Sequence, residues 1–485
     1  MLNTNRGKKL SLDYLFNPRS IAVVGVSTDM SRFRSGRLFL ESVVDAGFEG
    51  PIYPVGHDKG EVFGLELYPS IKAVPGTVDY VISAIPAEHT PQLIVDCASK
   101  GVKAVHLFTA GFSEIEDKQG QQLQDELVAL ARQNGVRIIG PNCMGLYCPK
   151  AKIAFHPDFP KENGTIAFLS QSGGNTIYAV REGATRGIYF SKVVSYGNAA
   201  DLNECDFLEY FTDDPDTEII AAYIEGVTNG TRFVEALKQA ARVKPVIIYK
   251  GGLSESGTRA VASHTGAMAG SERVWQSLLK QAGAIQVYSM EELLDQLLLF
   301  RYMPAPKGKA TAIIGIGGGN SVQAADVCTN AGLTVPLLPE EIRRRLKDLY
   351  ASETGASFRN PVDMYFARWD LAQETIKLVA ECDNIDLLII EIVLGWNPRW
   401  EKGFIEPYIG MFLGLARQLH KPTAIILKPF GLARWAQSTT ETEAELYRVG
   451  FPVYFSIDAA ARVIARYVDY QNRRQAMLAS SKLPR

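Results

Sequence analysis

Histidine is scarce in this chain: His57, His89, His106, His156, His264 and His420 are the whole set. His264 stands apart because it lies within Gly251 to Gly270, a run of small and polar residues that follows the apolar stretch PVIIYK. An imidazole on such a segment reads as the reactive tip of a mobile arm. His264 lies thirteen residues beyond Gly251, so a fully extended tether would reach roughly 45 Å. Most loop histidines are ordinary surface residues, and only the setting argues otherwise here. Glu225 closes an otherwise apolar strand-like run, TEIIAAYIEG. A carboxylate there could accept a hydrogen bond from one ring nitrogen, leaving the other as nucleophile and then stabilising a charged intermediate. The commoner fate of such a residue is a solvated strand end. No HxxxH or HxH spacing occurs, and neither Cys143 nor Cys148 has neighbours that complete a zinc set, so no metal site is expected.

Two small-residue turns could hold an anion. Ser170-Gln171-Ser172-Gly173-Gly174 ends an apolar run and opens a helical pattern, which brings free N–H groups, hydroxyls and the positive end of a helix to one place. Gly317-Gly318-Gly319-Asn320-Ser321 repeats the arrangement further on. Plain helix caps have the same composition. Gly140-Pro141-Asn142-Cys143-Met144-Gly145 follows the strand-like VRIIG and sets Asn142 where open α/β sheets take ligands, though a purely structural turn reads equally well. Gly25-Val26-Ser27-Thr28-Asp29-Met30 has only the first glycine of a dinucleotide fingerprint, which disfavours a standard NAD site. Arg6, Lys8, Lys9, Arg19, Arg32, Arg34 and Arg37 crowd the first 37 residues against Asp13 and Asp29 only. That density suits nucleotide phosphates, although the first three also fit a solvated tail.

The elements that must position these groups alternate short β-branched runs with helical patterns, the signature of parallel sheets with crossover helices. The expected strands fall into three sets: IAVVGV at 21, VDYVISAI at 78, KAVHLFT at 103 and VRIIG at 136; then GTIAFLS at 164, KVVSYG at 192, TEIIAAYIEG at 217, PVIIYKGG at 245 and AIQVYS at 284; then ATAIIGIGGG at 310, DLLIIEIVLG at 386, PTAIILKP at 422 and FPVYFS at 451. Met303 to Gly308 reads as a linker. The expected fold class is α/β, with domains at 1–150, 151–304 and 305–485.

At 485 residues, with 46% apolar and 21% charged, the chain is a globular protein of about three domains. A net charge of −2 supplies no global field for nucleic acid or an anionic membrane. Six sparse cysteines suit reduced thiols in the cytoplasm, and no run is apolar enough for a signal peptide or a membrane span.

Together PRSIAVVGVS, GFEGPIYPV, IPAEHTPQLIVDCASKGVKAVHLFTAGFSE, GPNCMG, FLSQSGG, VSYGNAADLNECDFLEYFTDDPDTEIIAAYIEGV and above all SHTGAMAG resemble one family. That family is the NDP-forming acyl-CoA synthetases, or ADP-forming acetate-CoA ligases, related to the succinyl-CoA synthetase α chain. The resemblance implies a Rossmann-like CoA-binding domain followed by two flavodoxin-like ligase domains. It also implies that His264 carries a phosphoryl group, that Glu225 steadies it, and that phosphate is held by Ser170, Ser172, Gly173 and Gly174 and by Gly318, Gly319 and Asn320. CoA contacts carry over to Gly25, Ser27, Val55, Pro86, Asn142 and Cys143. Where relatives often continue PV with Asn-Pro, this chain has Gly56-His57, a departure at the edge expected to meet pantetheine or adenine.

The implied reaction is acyl-CoA + phosphate + ADP ⇌ carboxylic acid + CoA + ATP, through an acyl phosphate. Nothing in the chain resembles an ATP-grasp domain, so the resemblance further implies an α subunit with a separate ATP-grasp β subunit that holds the nucleotide and Mg²⁺. Acetate, larger aliphatic acids and aryl acids all fit as the acyl group. A CoA-dependent acyltransferase without phosphohistidine, or a non-enzymatic CoA-binding subunit, are the rival readings; the intact SHTG context of His264 argues against the first.

Overall fold

The computed structural model describes residues 11–29, 31, 34–115, 118–265, 271–315, 317–350, 357–363, 369–394, 405–416, 418–429 and 436–481. The chain divides into two compact units, one of residues 1–184 with 189–290 and one of 185–188 with 291–485.

In the first unit, five short apolar runs form a sheet in the order Ile52–Val55, Ile21–Val24, Tyr80–Ser83, Ala104–Leu107, Arg137–Ile139, parallel throughout. Ile21–Val24, Tyr80–Ser83 and Ala104–Leu107 are buried at every position, because helices cover both faces and no polar alternation is needed. Ala22, Val81, Val105 and Ile138 meet Ile94, Cys97 and Leu127 from the helices Thr90–Ser99 and Lys118–Gln133 in one core.

A second sheet of the same unit runs Ile285–Val287, Val246–Lys250, Ile219–Ile224, Ile166–Ser170, Phe190–Ser195, with the antiparallel strand Gly145–Tyr147 closing its edge. Counting only parallel strands, both sheets follow the order second, first, third, fourth, fifth. The chain therefore reverses direction across the sheet beside its first strand, which opens a crevice at the carboxyl ends of the first and third. The sheets are tied together by Asp201, whose buried carboxylate accepts Arg137 Nε at 2.7 Å and the Ile138 N–H at 3.0 Å.

In the second unit, Val362–Asp363, Thr311–Gly315, Leu387–Leu394, Thr423–Pro429 and Val453–Tyr454 form a third parallel sheet in the same order, with Ser357–Phe358 antiparallel at its edge. The helix Met290–Tyr302 docks on the long helix Ile457–Ser481 of this unit through Phe300 against Tyr467 and an Arg466–Glu292 ion pair at 2.8 Å. The described strands of two or three residues, such as Gly145–Tyr147 and Ser357–Phe358, are too short to show a period in the sequence. All six cysteines are buried and unpaired. Among the described residues no helix is long and apolar enough to cross a membrane.

Candidate active site

Within the second sheet, Ile166–Ser170 and Ile219–Ile224 are neighbours at the reversal point, and their last residues lead into Gln171 and Glu225. Gln171 is buried, and its side-chain oxygen accepts the main-chain N–H groups of Glu225 and Gly226, the latter at 2.9 Å. Glu225 is 4% exposed, and its Oε1 accepts the Tyr223 hydroxyl at 3.0 Å. It is therefore a buried carboxylate, not a solvated strand end. Burial and the neighbouring carboxylate push the Tyr223 phenol well above its ordinary range, so it stays a donor.

Ser172 Oγ accepts the Asn175 N–H at 3.2 Å and caps the helix Gly173–Thr185. Ser170 is turned inward: its hydroxyl donates to the Ser172 carbonyl at 2.8 Å and accepts the Ser172 N–H at 3.1 Å, so it shapes the turn. Gly173 carries no Cβ, and one added there would stand 2.7 Å from Met144 Cγ, so the Ser170 to Gly174 turn and the GPNCMG turn are packed against each other.

The His264 tether differs from the extended chain its composition suggests. Glu255–Thr265 is a helix of 11 residues, about 16 Å long at the usual rise. Ser254 Oγ accepts the Gly257 N–H at 3.0 Å, Arg259 pairs with Glu255 at 2.8 Å one turn back, and Val261 is buried; a cap, a charge pair and an apolar anchor outweigh the small residues. The helix lies against the short turn Ser113–Ile115. His264 belongs to this helix; its side chain and residues 266–270 lie outside what is described.

At the carboxyl edge of the first sheet, Gly25 has φ +97°, and its N–H and that of Val26 both donate to the Val55 carbonyl at 3.0 Å. Val55 is buried and meets this turn through its backbone. Ser27 donates to Asp58 at 2.7 Å, and the Thr28 N–H donates to the same carboxylate at 2.9 Å. These bonds hold the Asp58 carboxyl below its usual range. At Gly56, the first residue of the Gly56-His57 departure, a Cβ would lie 1.9 Å from the Val26 carbonyl oxygen, so the turn here is built for glycine. Pro86 begins the turn Ala87–His89 at the next strand's end. Asn142 has φ +56°, follows the cis Gly140–Pro141 bond and donates its N–H to Thr109 at 3.0 Å. Cys143 is buried and its thiol is pushed well up by desolvation, so it supplies packing and a carbonyl, not a thiolate. That carbonyl pairs with His106 Nε2 at 2.8 Å, and burial pushes the His106 imidazole down to about 4, which leaves it a neutral donor at neutral pH.

Of the basic N-terminal residues, Arg19 is spent on Asp79, to which its Nε donates at 2.9 Å, and the Arg37 guanidinium covers the Phe63 ring at 4.9 Å. The density that suits nucleotide phosphates is thus partly structural; residues 1–10 and Arg32 lie outside the described residues.

In the second unit the helix Gly318–Asn330 begins at Gly317, which has φ +89° and donates its N–H to Asp363 at 2.7 Å. Gly318, Gly319 and Asn320 follow exposed. Beside Gly315, at the end of the preceding strand, Glu391 is buried and pairs with Lys428 at 2.9 Å. The sequence places Gln171 in its small-residue turn but does not reveal that its side chain fastens the ends of two strands.

A five-stranded parallel sheet joined to a second, mostly parallel sheet with a buried carboxylate at its reversal point defines an α/β architecture with candidate sites at the carboxyl ends of its strands. Residues 19–149 match the family described as CoA binding domain, and residues 163–300 match that described as succinyl-CoA ligase like flavodoxin domain. The α subunit of ADP-forming acetate–CoA ligase II from Pyrococcus furiosus is 39% identical over 379 residues, 78% of this chain and 81% of that subunit. ADP-forming acetate–CoA ligase I from Archaeoglobus fulgidus is 34% identical over 94% of this chain, which spans 63% of that protein. The structure of dinucleotide forming acetyl-coenzyme A synthetase 1 from Ca. Korarchaeum cryptofilum, in complex with phosphate and ADP, matches with a TM-score of 0.81 at 29% identity, over 98% of this chain and 100% of that one. The chain belongs to the ADP-forming acyl-CoA synthetase family, which are acid–thiol ligases.

Proposed function

We propose that the chain works as the α subunit of an ADP-forming acyl-CoA synthetase through phosphohistidine at His264. Acyl-CoA lies along the carboxyl edge of the first sheet, near Gly25, Ser27, Val55, Pro86, Asn142 and Cys143. Phosphate held at the amino end of Gly173–Thr185 attacks the acyl carbon, the C–S bond breaks, and CoA leaves as its thiolate. His264 then attacks phosphorus, the P–O bond to the acyl group breaks, and the carboxylate departs. Glu225 accepts the N–H of the other ring nitrogen and stabilises the positive ring. The phosphoryl group finally passes to ADP. Gly318, Gly319 and Asn320 offer a second set of N–H groups for it.

The observation that carries this reading is the buried Glu225 carboxylate, held by Tyr223 on a backbone that Gln171 fixes, at the reversal point beside the turn that Ser172 caps. Following the family resemblance, the Mg²⁺ that accompanies ADP is assigned with the nucleotide to a partner chain of ATP-grasp type, and no step on this chain is routed through it. The test is to supply the isolated chain with acyl-CoA, phosphate, ADP and Mg²⁺, and then to add the ATP-grasp partner. ATP is expected only after the partner is added; steady ATP formation by the isolated chain contradicts the division of labour.

A further inference from the structure

The segment carrying His264 leaves the second sheet at Lys250 and ends where the helix Glu272–Ala282 begins. Lys250 is 1% exposed, although it is a lysine at a strand end. Its ammonium donates to the main-chain oxygen of Glu225 at 2.7 Å and to that of Gly251, and it lies 5.1 Å from the centre of the Trp275 ring. Trp275 is itself buried and packs edge-on to Phe233. One buried cation is thus bound to the residue bearing the candidate carboxylate, to the first residue of the His264 segment and to the helix on which that segment ends.

A carboxylate as buried as Glu225 is costly to keep ionised without positive charge nearby. In the proposed cycle ADP sits on the partner chain, so His264 must leave Glu225 to deliver the phosphoryl group, and the charged ring is at Glu225 only while His264 is docked there. We propose that Lys250 is a positioning residue for phosphoryl transfer: it is the resident counter-charge of Glu225 while His264 is away, and the fixed post that returns the ring to the same carboxylate. This rests on the phosphohistidine reading.

Burial lowers the Lys250 ammonium to about 8, and Glu225 opposes that shift. Glu225 is the charged group that Lys250 feels among the described residues; Tyr223 stays a neutral phenol, and the helix Glu272–Ala282 presents the uncharged Trp275. The ammonium is therefore charged below about pH 8 and neutral above it. A lysine whose folded value is lowered makes its own contribution to stability rise between that pH and its unfolded value near 10.4. Loss of function in this window is thus not loss of the fold through Lys250.

The experiment follows the rate at which acyl-CoA and radiolabelled phosphate label the full-length chain, on both sides of pH 8, in the parent, Lys250→Met, Lys250→Arg and His264→Ala. In the parent, labelling is expected to fall above about pH 8. Lys250→Met should label about ten to a hundred times more slowly at neutral pH, the range expected for losing a hydrogen bond from a charged group, with that alkaline limb gone and the acyl-CoA concentration for half-maximal rate unchanged. Lys250→Arg should keep most of the rate and move the limb upward, since a guanidinium stays charged beyond about 12. Parent-like labelling in Lys250→Met, or an alkaline limb at the same pH in the parent and both variants, overturns the proposal. If Lys250→Met does not fold, the limb in Lys250→Arg decides alone. Label that survives in His264→Ala would instead overturn the phosphohistidine reading, separately from Lys250.

Discussion

The side-chain oxygen of Gln171 accepts the N–H groups of both Glu225 and Gly226, so the ends of two neighbouring strands are fastened by a single amide. A glutamine is suited to this, because its carbonyl oxygen has two lone pairs and carries no charge that would compete with the carboxylate beside it. The bond fixes the backbone of Glu225, while Tyr223 fixes its side chain.

Glu225→Gln should slow phosphorylation of the chain while leaving CoA binding nearly unchanged. An amide can still accept from Tyr223, so the fold is kept, but it offers only a neutral acceptor to a charged ring. The difference is about 1.5–3 kcal/mol, or roughly a tenfold to hundredfold fall in rate. Single-turnover labelling with radiolabelled phosphate, set beside calorimetric CoA binding, measures both; equal labelling rates would remove Glu225 from the mechanism.

Gly56→Ala should weaken CoA binding and destabilise the first sheet. The added methyl would stand 1.9 Å from the Val26 carbonyl oxygen, which is backbone and cannot swing aside. Overpacking of this kind costs about 1–3 kcal/mol. Urea unfolding and CoA titration of the variant check it, and parent-like values in both would show that the turn at Val26 yields freely.

His106 gives the first sheet an acid limit. Its folded value of about 4 lies below the ordinary 6.5, so the unfolded chain binds the extra proton first, and stability is lost as pH falls from 6.5 toward 4. At pH 5 the loss from this one group is about 2 kcal/mol relative to neutral pH. Comparing urea unfolding at pH 7 and pH 5 should show a smaller difference in His106→Asn than in the parent, and an equal difference would assign the acid sensitivity elsewhere.

Much of this architecture was legible in the sequence, because buried parallel strands read as short β-branched runs and their ligand turns as small residues directly after them. Glu225 stood out as the single charge ending an apolar run, and the SHTG segment as a small, polar one. Pairings across long sequence distances were not legible: Arg19 with Asp79, Ser27 with Asp58 and Gln171 with Glu225 depend on which strands become neighbours. Lys250 was hidden because nothing in PVIIYKGG tells a buried ammonium from a solvated one. The segment before His264 is a helix where its composition suggests an extended tether, since small residues permit a helix as readily as a loop once Ser254 caps it and Val261 anchors it.

The central claim is that His264 carries the phosphoryl group, and the direct measurement is the stability of label on the protein after incubation with acyl-CoA and radiolabelled phosphate. Label that is lost in acid, kept in base and absent from His264→Ala is the expected result. Label of the same amount and acid lability in His264→Ala would contradict it.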